Sequence, residues 1–242
     1  EIRQIEQWFR MNKSQSLDDW ESAMKLRYIP SLNCMYADHV GNIFYLYNAS
    51  FPNRKSGFDW KDYLPGDNPE VLWTELEDYK FLPKLLNPKT GFLQNCNSTP
   101  FKTTDGEDNP DPSLFPEKLG IEEYMTNRAL RSLEMFGQDE VISKQDIFNY
   151  KYDMKYSEQS AIAQYVDEIL DAELPENSTI TEAVEVLKDW DLNTNPENKG
   201  AALAILSTKP YLKDYYESIS ESKLIEHFVD AAELLKKKYG EI

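Results

Sequence analysis

Asn33-Cys34-Met35-Tyr36-Ala37-Asp38-His39-Val40-Gly41-Asn42-Ile43 decides the fold of this chain. Leu32, Cys34 and Tyr36 alternate with their neighbours, Asp38 to Asn42 carry turn chemistry, and Ile43, Tyr45 and Tyr47 resume the alternation. A period of two on either side of an Asp- and Gly-bearing turn predicts a β-hairpin over 31–49. About fifty residues later comes Gly91-Phe92-Leu93-Gln94-Asn95-Cys96-Asn97-Ser98-Thr99-Pro100, and 91–97 is predicted to be a further short strand. It ends in clustered amides. Asparagine is a poor strand residue, so amides at a strand terminus need a reason.

Working outward, residues 4–28 read as helix, with Trp8, Phe9, Trp20, Met24 and Leu26 supplying the apolar side. Ser16-Leu17-Asp18-Asp19 resembles a capping box opening its second half, and Pro30 closes it. Residues 50–90 show little periodicity and are punctuated by Pro52, Pro65, Pro69, Pro83 and Pro88. The aromatics Phe58, Trp60, Tyr63, Trp73, Tyr79 and Phe81 make this an ordered loop wrapping a site. Beyond the acidic run Asp105-Gly106-Glu107-Asp108-Asn109-Pro110-Asp111 the pattern turns helical. Helices are predicted over Glu122–Phe136, after the cap Ser143-Lys144-Gln145-Asp146, and over Ser157–Asp171, Thr181–Trp190 and Ser222–Tyr239. The organisation expected is leading helices over 1–30, hairpin, aromatic loop and asparagine strand over 31–100, and the acidic loop with a helical part over 101–242.

With 242 residues, 40% of them hydrophobic, the chain has the length and apolar content to build a substantial core. No apolar run reaches the length of a membrane span. A net charge of −17 would repel nucleic acid and anionic membrane, so neither is an expected partner. Two cysteines, Cys34 and Cys96, allow at most one internal disulfide, with free thiols the simpler reading, and they cannot build a zinc site. His39 and His227 lack metal-ligand spacing. No nucleophile elbow, phosphate-binding loop, dinucleotide fingerprint or His-Glu-x-x-His helix is present. On residue types alone, Asn95 and Asn97 read either as turn formers before Pro100 or as exposed amide donors for an oxyanion. Arg128 and Arg131 read either as a solvated helix face paired with Glu122, Glu123 or Glu134, or as orienting groups.

A resemblance sharpens this. Tyr36-Ala37-Asp38-His39-Val40-Gly41-Asn42-Ile43, Pro52-Asn53-Arg54, Trp60, Asn87-Pro88-Lys89-Thr90-Gly91 and Asn95-Cys96-Asn97-Ser98-Thr99-Pro100 stand in the order and spacing of the catalytic chain of penicillin-acylase-type N-terminal-nucleophile hydrolases. Asn127-Arg128-Ala129-Leu130-Arg131 resembles that family's arginine-bearing helix, and Leu187-Lys188-Asp189-Trp190-Asp191 with Gly200-Ala201-Ala202 its tryptophan-aspartate segment and following helix. The aromatic loop looks closest to members that remove long acyl chains, such as aculeacin and acyl-homoserine-lactone acylases.

The resemblance implies an α+β fold: antiparallel strands of an αββα sandwich plus a larger, mostly helical part. It implies cleavage of the amide of an N-acylated small molecule (penicillin, acyl-homoserine lactone or lipopeptide) through an acyl-enzyme. Asn97 would complete the oxyanion hole, facing a water-shielded cavity, and Arg128 would orient groups and assist processing. Trp60 and Trp73 would contact substrate. No cofactor is required for the chemistry; a structural calcium is left open, with Asp111 nearest the family's aspartate. The nucleophile of that family is an N-terminal serine or cysteine whose own α-amino group accepts the proton, and Glu1 cannot play that part. The chain is therefore expected to be an interior piece of a catalytic chain, inactive alone. Its partners would be the nucleophile-bearing and C-terminal parts of the same precursor and an α-chain, in a bacterial periplasm or outside the cell. The alternative is a non-catalytic ligand- or subunit-binding module of the same ancestry.

Overall fold

The computed structural model describes residues 3–212 and 219–242. The chain divides into two compact units, Glu1–Met125 and Thr126–Ile242. The fold is α+β, with the strands in the first unit and most of the helix in the second.

In the first unit, α1 (Gln4–Lys13) and α2 (Leu17–Met24) replace the single helix expected over 4–28. The break is chemical: Ser16 is extended and its hydroxyl accepts from the Asp19 N–H, while Asp19 Oδ2 accepts from the Gln15 N–H. Trp20 and Met24 enter the core as expected, but Trp8 and Phe9 stay exposed, because α1 turns the polar Gln7 inward. Gln7 is fully buried. Its Oε1 accepts from the Tyr28 and Ile29 N–H groups, satisfying the chain that leaves α2.

The hairpin forms as read. Strands β1 (Ser31–Ala37) and β2 (Ile43–Ala49) pair antiparallel with Cys34 opposite Leu46 and Tyr36 opposite Phe44. Asp38 organises the turn: one carboxylate oxygen accepts from the Val40 and Asn42 N–H groups, the other from the Asn42 amide and the Tyr36 hydroxyl. Gly41 takes the left-handed φ of 97° that the turn requires. Leu32, Cys34, Tyr36, Phe44 and Leu46 share one face of the sheet. Trp20 of α2 packs on it at 5.3 Å from the Tyr36 ring and edge-on to Phe44 at 5.7 Å. The opposite face carries Asn33, Tyr45 and Tyr47, so β2 is buried on both sides.

The third strand is not at 91–97, where the sequence reading puts it. Strand β3 (Lys84–Leu86) lies inside the supposed loop and pairs antiparallel with β2, Tyr45 opposite Leu85. Residues 91–97 join no strand. Gly91 and Asn97 adopt φ of 75° and 59°, and the Gln94 N–H donates to the Thr103 carbonyl rather than into a ladder. Cys96 is consequently not in a strand; Cys34 and Cys96 form no disulfide, and burial pushes the Cys34 thiol up to about 12. Phe115, Leu119 and Ile121 pack into the same core as α2 and the hairpin, so the acidic loop belongs with the first unit.

The second unit holds α3 (Asn127–Gln138), α4 (Lys144–Lys151), α5 (Ala161–Asp171), α6 (Ser178–Lys188), α7 (Lys199–Leu212) and α8 (Glu221–Tyr239). Helix α3 starts later than the periodicity suggests, because Thr126 caps it through the Ala129 N–H. The residues before it run extended, tied by the Thr99 N–H to the Tyr124 carbonyl. The capping box at Ser143 forms with Asp146 as its partner. Ile162, Ile169, Ile180, Leu187, Leu203, Leu224 and Phe228 fill the core of this unit. Gly200 permits the closest approach in it: a Cβ there would stand 2.5 Å from the Trp190 Cβ.

Candidate active site

The amide-rich segment bends where it should. Asn97 holds a left-handed φ of 59°, a region Asn enters more readily than other side chains. Asn95 fixes it there: its Oδ1 accepts from the Asn97 N–H at 3.2 Å, and its Nδ2 reaches the Ser98 carbonyl at 3.5 Å. Ser98, Thr99 and Pro100 then dive into the protein, the Thr99 N–H bonding the Tyr124 carbonyl at 3.1 Å.

This geometry makes a cavity of about 170 Å³ on the second face of the sheet, lined by Asn33, Tyr47, Asn97, Ser98, Thr99, Pro100, Glu122 and Tyr124. Every wall residue except Pro100 carries a polar side chain. The Tyr45 hydroxyl donates to Asn33 Oδ1 at 2.6 Å and sets that amide's orientation. Burial, then the neighbouring Glu122 and Tyr124, raise the Tyr47 phenol above its ordinary range, with a weaker opposing bond from Ser31. Tyr47 is therefore a protonated donor at neutral pH. Ser98 Oγ is buried with no partner. No histidine, lysine or cysteine lines the cavity.

Two expectations meet the geometry differently. Asn97 does border a cavity, but the residue is exposed, so these 242 residues do not supply the water shield. The volume suits a small polar group or a few waters and is below the roughly 300–1,000 Å³ of sites that engulf a whole small molecule.

The family model for penicillin amidase matches residues 1–237. The chain belongs to the penicillin amidase family. Over 115 residues it is 30% identical to penicillin G acylase of Escherichia coli, covering 48% of this chain and 13% of that protein. Its fold superposes on a thermostable penicillin G acylase from Alcaligenes faecalis with a TM-score of 0.65 at 16% identity. That match covers 99% of this chain and 52% of the other, so the chain spans about half of the structural relative's length and much less of the curated one's.

In this chain the other expected site residues are not among those lining the cavity. Arg128 is exposed in the first turn of α3, in the second unit. Its neighbour Arg131 is structural. It grips Asp153 through two nitrogens at 2.9 and 3.1 Å and Glu134 at 3.0 Å. Trp60 and Trp73 do not line the cavity beside Asn97. Their rings flank the Arg54 guanidinium, each 5.6 Å away, with Trp60 half-buried and Trp73 exposed.

Asp111 caps a short 3-10 turn through the Ser113 N–H, and those bonds hold its carboxyl below the usual range. The rest of the acidic loop spends its oxygens likewise. Asp105 pairs with Lys102, Asp108 accepts from the Lys89 N–H, and Asn109 Oδ1 accepts from Thr103 and Thr104. Among the described residues no group of His, Cys, Asp and Glu converges to hold a metal. These side chains do not fit a calcium ion as a set.

Of the residues lining this cavity, Asn97 is the one the sequence reading singles out as a site residue; Asn33, Tyr47, Glu122 and Tyr124 around it are not. Asn33 and Tyr47 are directly opposite in the β1–β2 register, a pairing the hairpin pattern does contain. Glu122 and Tyr124 carried no such signal, since they were assigned to a helix.

Proposed function

We propose that this chain is part of an amidohydrolase that cleaves the amide of an N-acylated small molecule through an acyl-enzyme ester. Family membership over 1–237 supports the reaction class. The observation that carries the site assignment is Asn97, held at positive φ by Asn95 on the rim of a polar cavity. An amide donor fixed before the reaction costs no reorganisation as a carbonyl oxygen becomes negative. Tyr47, kept protonated, is a second donor in the same wall.

The attacking hydroxyl and its α-amino base come, in this reading, from polypeptide outside these 242 residues, which also closes the exposed side of Asn97 and supplies the room for the acyl group. Arg128 orients groups near that nucleophile. Substrates of the penicillin, acyl-homoserine-lactone or lipopeptide type fit this scheme, in a bacterial periplasm or outside the cell. Among the described residues no helix is long and apolar enough to cross a membrane.

The test is kinetic, on the complete protein containing this chain, with phenylacetyl-amide and acyl-homoserine-lactone substrates. Asn97→Gly keeps the positive φ and deletes only the amide. It should lower kcat by about 10²–10³, the usual effect of losing one oxyanion donor. A kcat within a few-fold of the unaltered protein removes Asn97 from the mechanism. Turnover by the 242-residue chain alone would overturn the placement of the nucleophile elsewhere.

A further inference from the structure

Arg54 is the anomaly of the first unit. It is half-buried, and among the described residues it makes no ion pair, although the chain has 43 acidic side chains for 26 basic ones. Its Nη1 donates to the Lys118 carbonyl at 2.7 Å, and its Nε is buried with no partner. The indoles of Trp60 and Trp73 flank the guanidinium at 5.6 Å each. Gly120 makes the seat. A Cβ there would lie 3.1 Å from Nη1, and the residue's φ of 67° favours glycine independently. Stacking on indoles stabilises a cation but does not neutralise it, and a partly desolvated charge without a counter-charge is costly.

The surroundings indicate what the missing partner is. Arg54 opens onto a cavity of about 600 Å³, within the range of small-molecule sites. Its wall includes Lys55, Phe58, Asp59, Trp60, Lys61, Glu117 and Lys118, in a chain of net charge −17. The lysines are already matched: Lys55 with Glu70 at 3.1 Å, Lys61 with Glu117 at 3.4 Å and Lys118 with Glu77 at 3.2 Å. Asp59 also lines the cavity, its Oδ1 accepting from the Lys61 N–H, but among the described residues no carboxylate lies within ion-pair distance of Arg54, so the guanidinium is the cation left without a direct anionic contact. Inorganic phosphate would bring more negative charge to a wall that already carries Asp59 and Glu117, and no apolar body for the rings. The Phe58 and Trp60 rings, 5.8 Å apart and edge-to-face, offer apolar surface beside that charge.

We propose that the Arg54 cavity is a binding site for a small organic carboxylate with an aromatic or acyl body, distinct from the cavity at Asn97. The carboxylate pairs with the guanidinium, whose planar fork matches its geometry, and the body lies against Phe58 and Trp60. The acid released by the hydrolysis proposed above is one molecule of this class. Only that identification rests on the proposed function, because binding is read without turnover.

The experiment titrates the 242-residue chain by calorimetry with 4-phenylbutyrate, with its neutral amide, and with inorganic phosphate. The carboxylate should bind in the millimolar range or tighter, with the amide and phosphate each weaker by about tenfold or more, the loss expected for a charge-assisted contact. Arg54→Gln should abolish the preference for acid over amide, and Arg54→Lys should recover only part of it. Lys61→Ala, which removes an already matched cation, should change affinity less than Arg54→Lys. Should Arg54→Gln fail to fold, the Nε–H resonance of Arg54 in the unaltered, nitrogen-labelled chain decides, and it should shift in step with carboxylate but not amide. Equal binding of acid and amide, tighter binding of phosphate, a folded Arg54→Gln chain that keeps the preference, or an unmoved Nε–H resonance would each overturn the proposal.

Discussion

Replacing Gly200 by alanine tests the packing of the second unit, because two effects there have opposite sign. In an exposed helix interior Gly→Ala stabilises by about 1 kcal/mol through backbone entropy, and less at an end. Gly200 is the second residue of α7. Its added Cβ would meet the Trp190 Cβ at 2.5 Å, Cγ at 2.9 Å and the Val186 carbonyl at 3.0 Å. Carbon atoms rest at roughly 3.5–4.0 Å, so α7 or Trp190 must shift by about 1 Å. Neither moves freely. Trp190 is buried, donates its indole N–H to the Asn193 carbonyl at 2.8 Å and meets Tyr156 edge-on at 6.0 Å. Overpacking of this kind costs about 1–3 kcal/mol and exceeds the entropic gain. The assay is urea unfolding followed by far-UV circular dichroism. With a slope of about 1–3 kcal/mol per molar, the helical transition should fall by several tenths of a molar to about 1 M. Ala202→Gly, at an exposed position on the same helix, calibrates propensity alone. A Gly200→Ala chain as stable as the original, or more so, would refute the packing argument.

Three further outcomes follow from the site and its supports. Asn95→Ala removes the acceptor that fixes Asn97, and in the complete protein should lower kcat about tenfold with little change in KM, while Asn95→Asp, which keeps the acceptor, retains most of the rate. The side-chain bond from Asn42, followed by those from the Asn42 and Val40 N–H groups and the Tyr36 hydroxyl, holds the Asp38 carboxyl below its ordinary value, outweighing burial. Its folded value is thus the lower one, so its contribution is present above the unfolded pKa and lost as pH falls through the folded one. Urea midpoints against pH should show a shallower acid limb in Asp38→Asn. Because burial pushes the Cys34 thiol up to about 12, iodoacetamide at mildly alkaline pH should leave it unlabelled until the chain unfolds, as peptide mass mapping would show.

What the sequence made legible was what local chemistry decides. The hairpin could be read because its alternation and the Asp38 turn agree, and the Ser16 and Ser143 caps because capping is a short-range bond. Strand β3 could not be read. Its Lys84, Leu85 and Leu86 have no period of their own and become a strand only because β2 offers a free edge. Residues 91–97 show the converse: a segment expected as a strand finds no ladder partner, and positive φ at Gly91 and Asn97 turns it away. Trp8 and Phe9 failed for a related reason. Helical spacing identifies an apolar stripe but not whether a core lies opposite, and here the inward residue is Gln7, recruited for two backbone bonds.

The same distinction governs the asparagines. Clustered amides mark places where the backbone turns, since a short amide side chain both tolerates positive φ and bonds main-chain atoms; at 91–97 the turn is there but the expected strand is not. Asn87, at φ 48°, spends its side chain that way: Oδ1 accepts from the Ile43 N–H and Nδ2 donates to Asn42, tying the start of β2 to the end of β3. Asn95 is spent on Asn97. Residue type cannot separate these structural amides from Asn97. What separates it is that the fold places residue 97 on a cavity wall with Tyr47 and Glu122, which takes the sheet register and the Thr99–Tyr124 bond together. The amide pattern finds places where the backbone turns, and only the long-range pairing of the chain picks the one that faces a cavity.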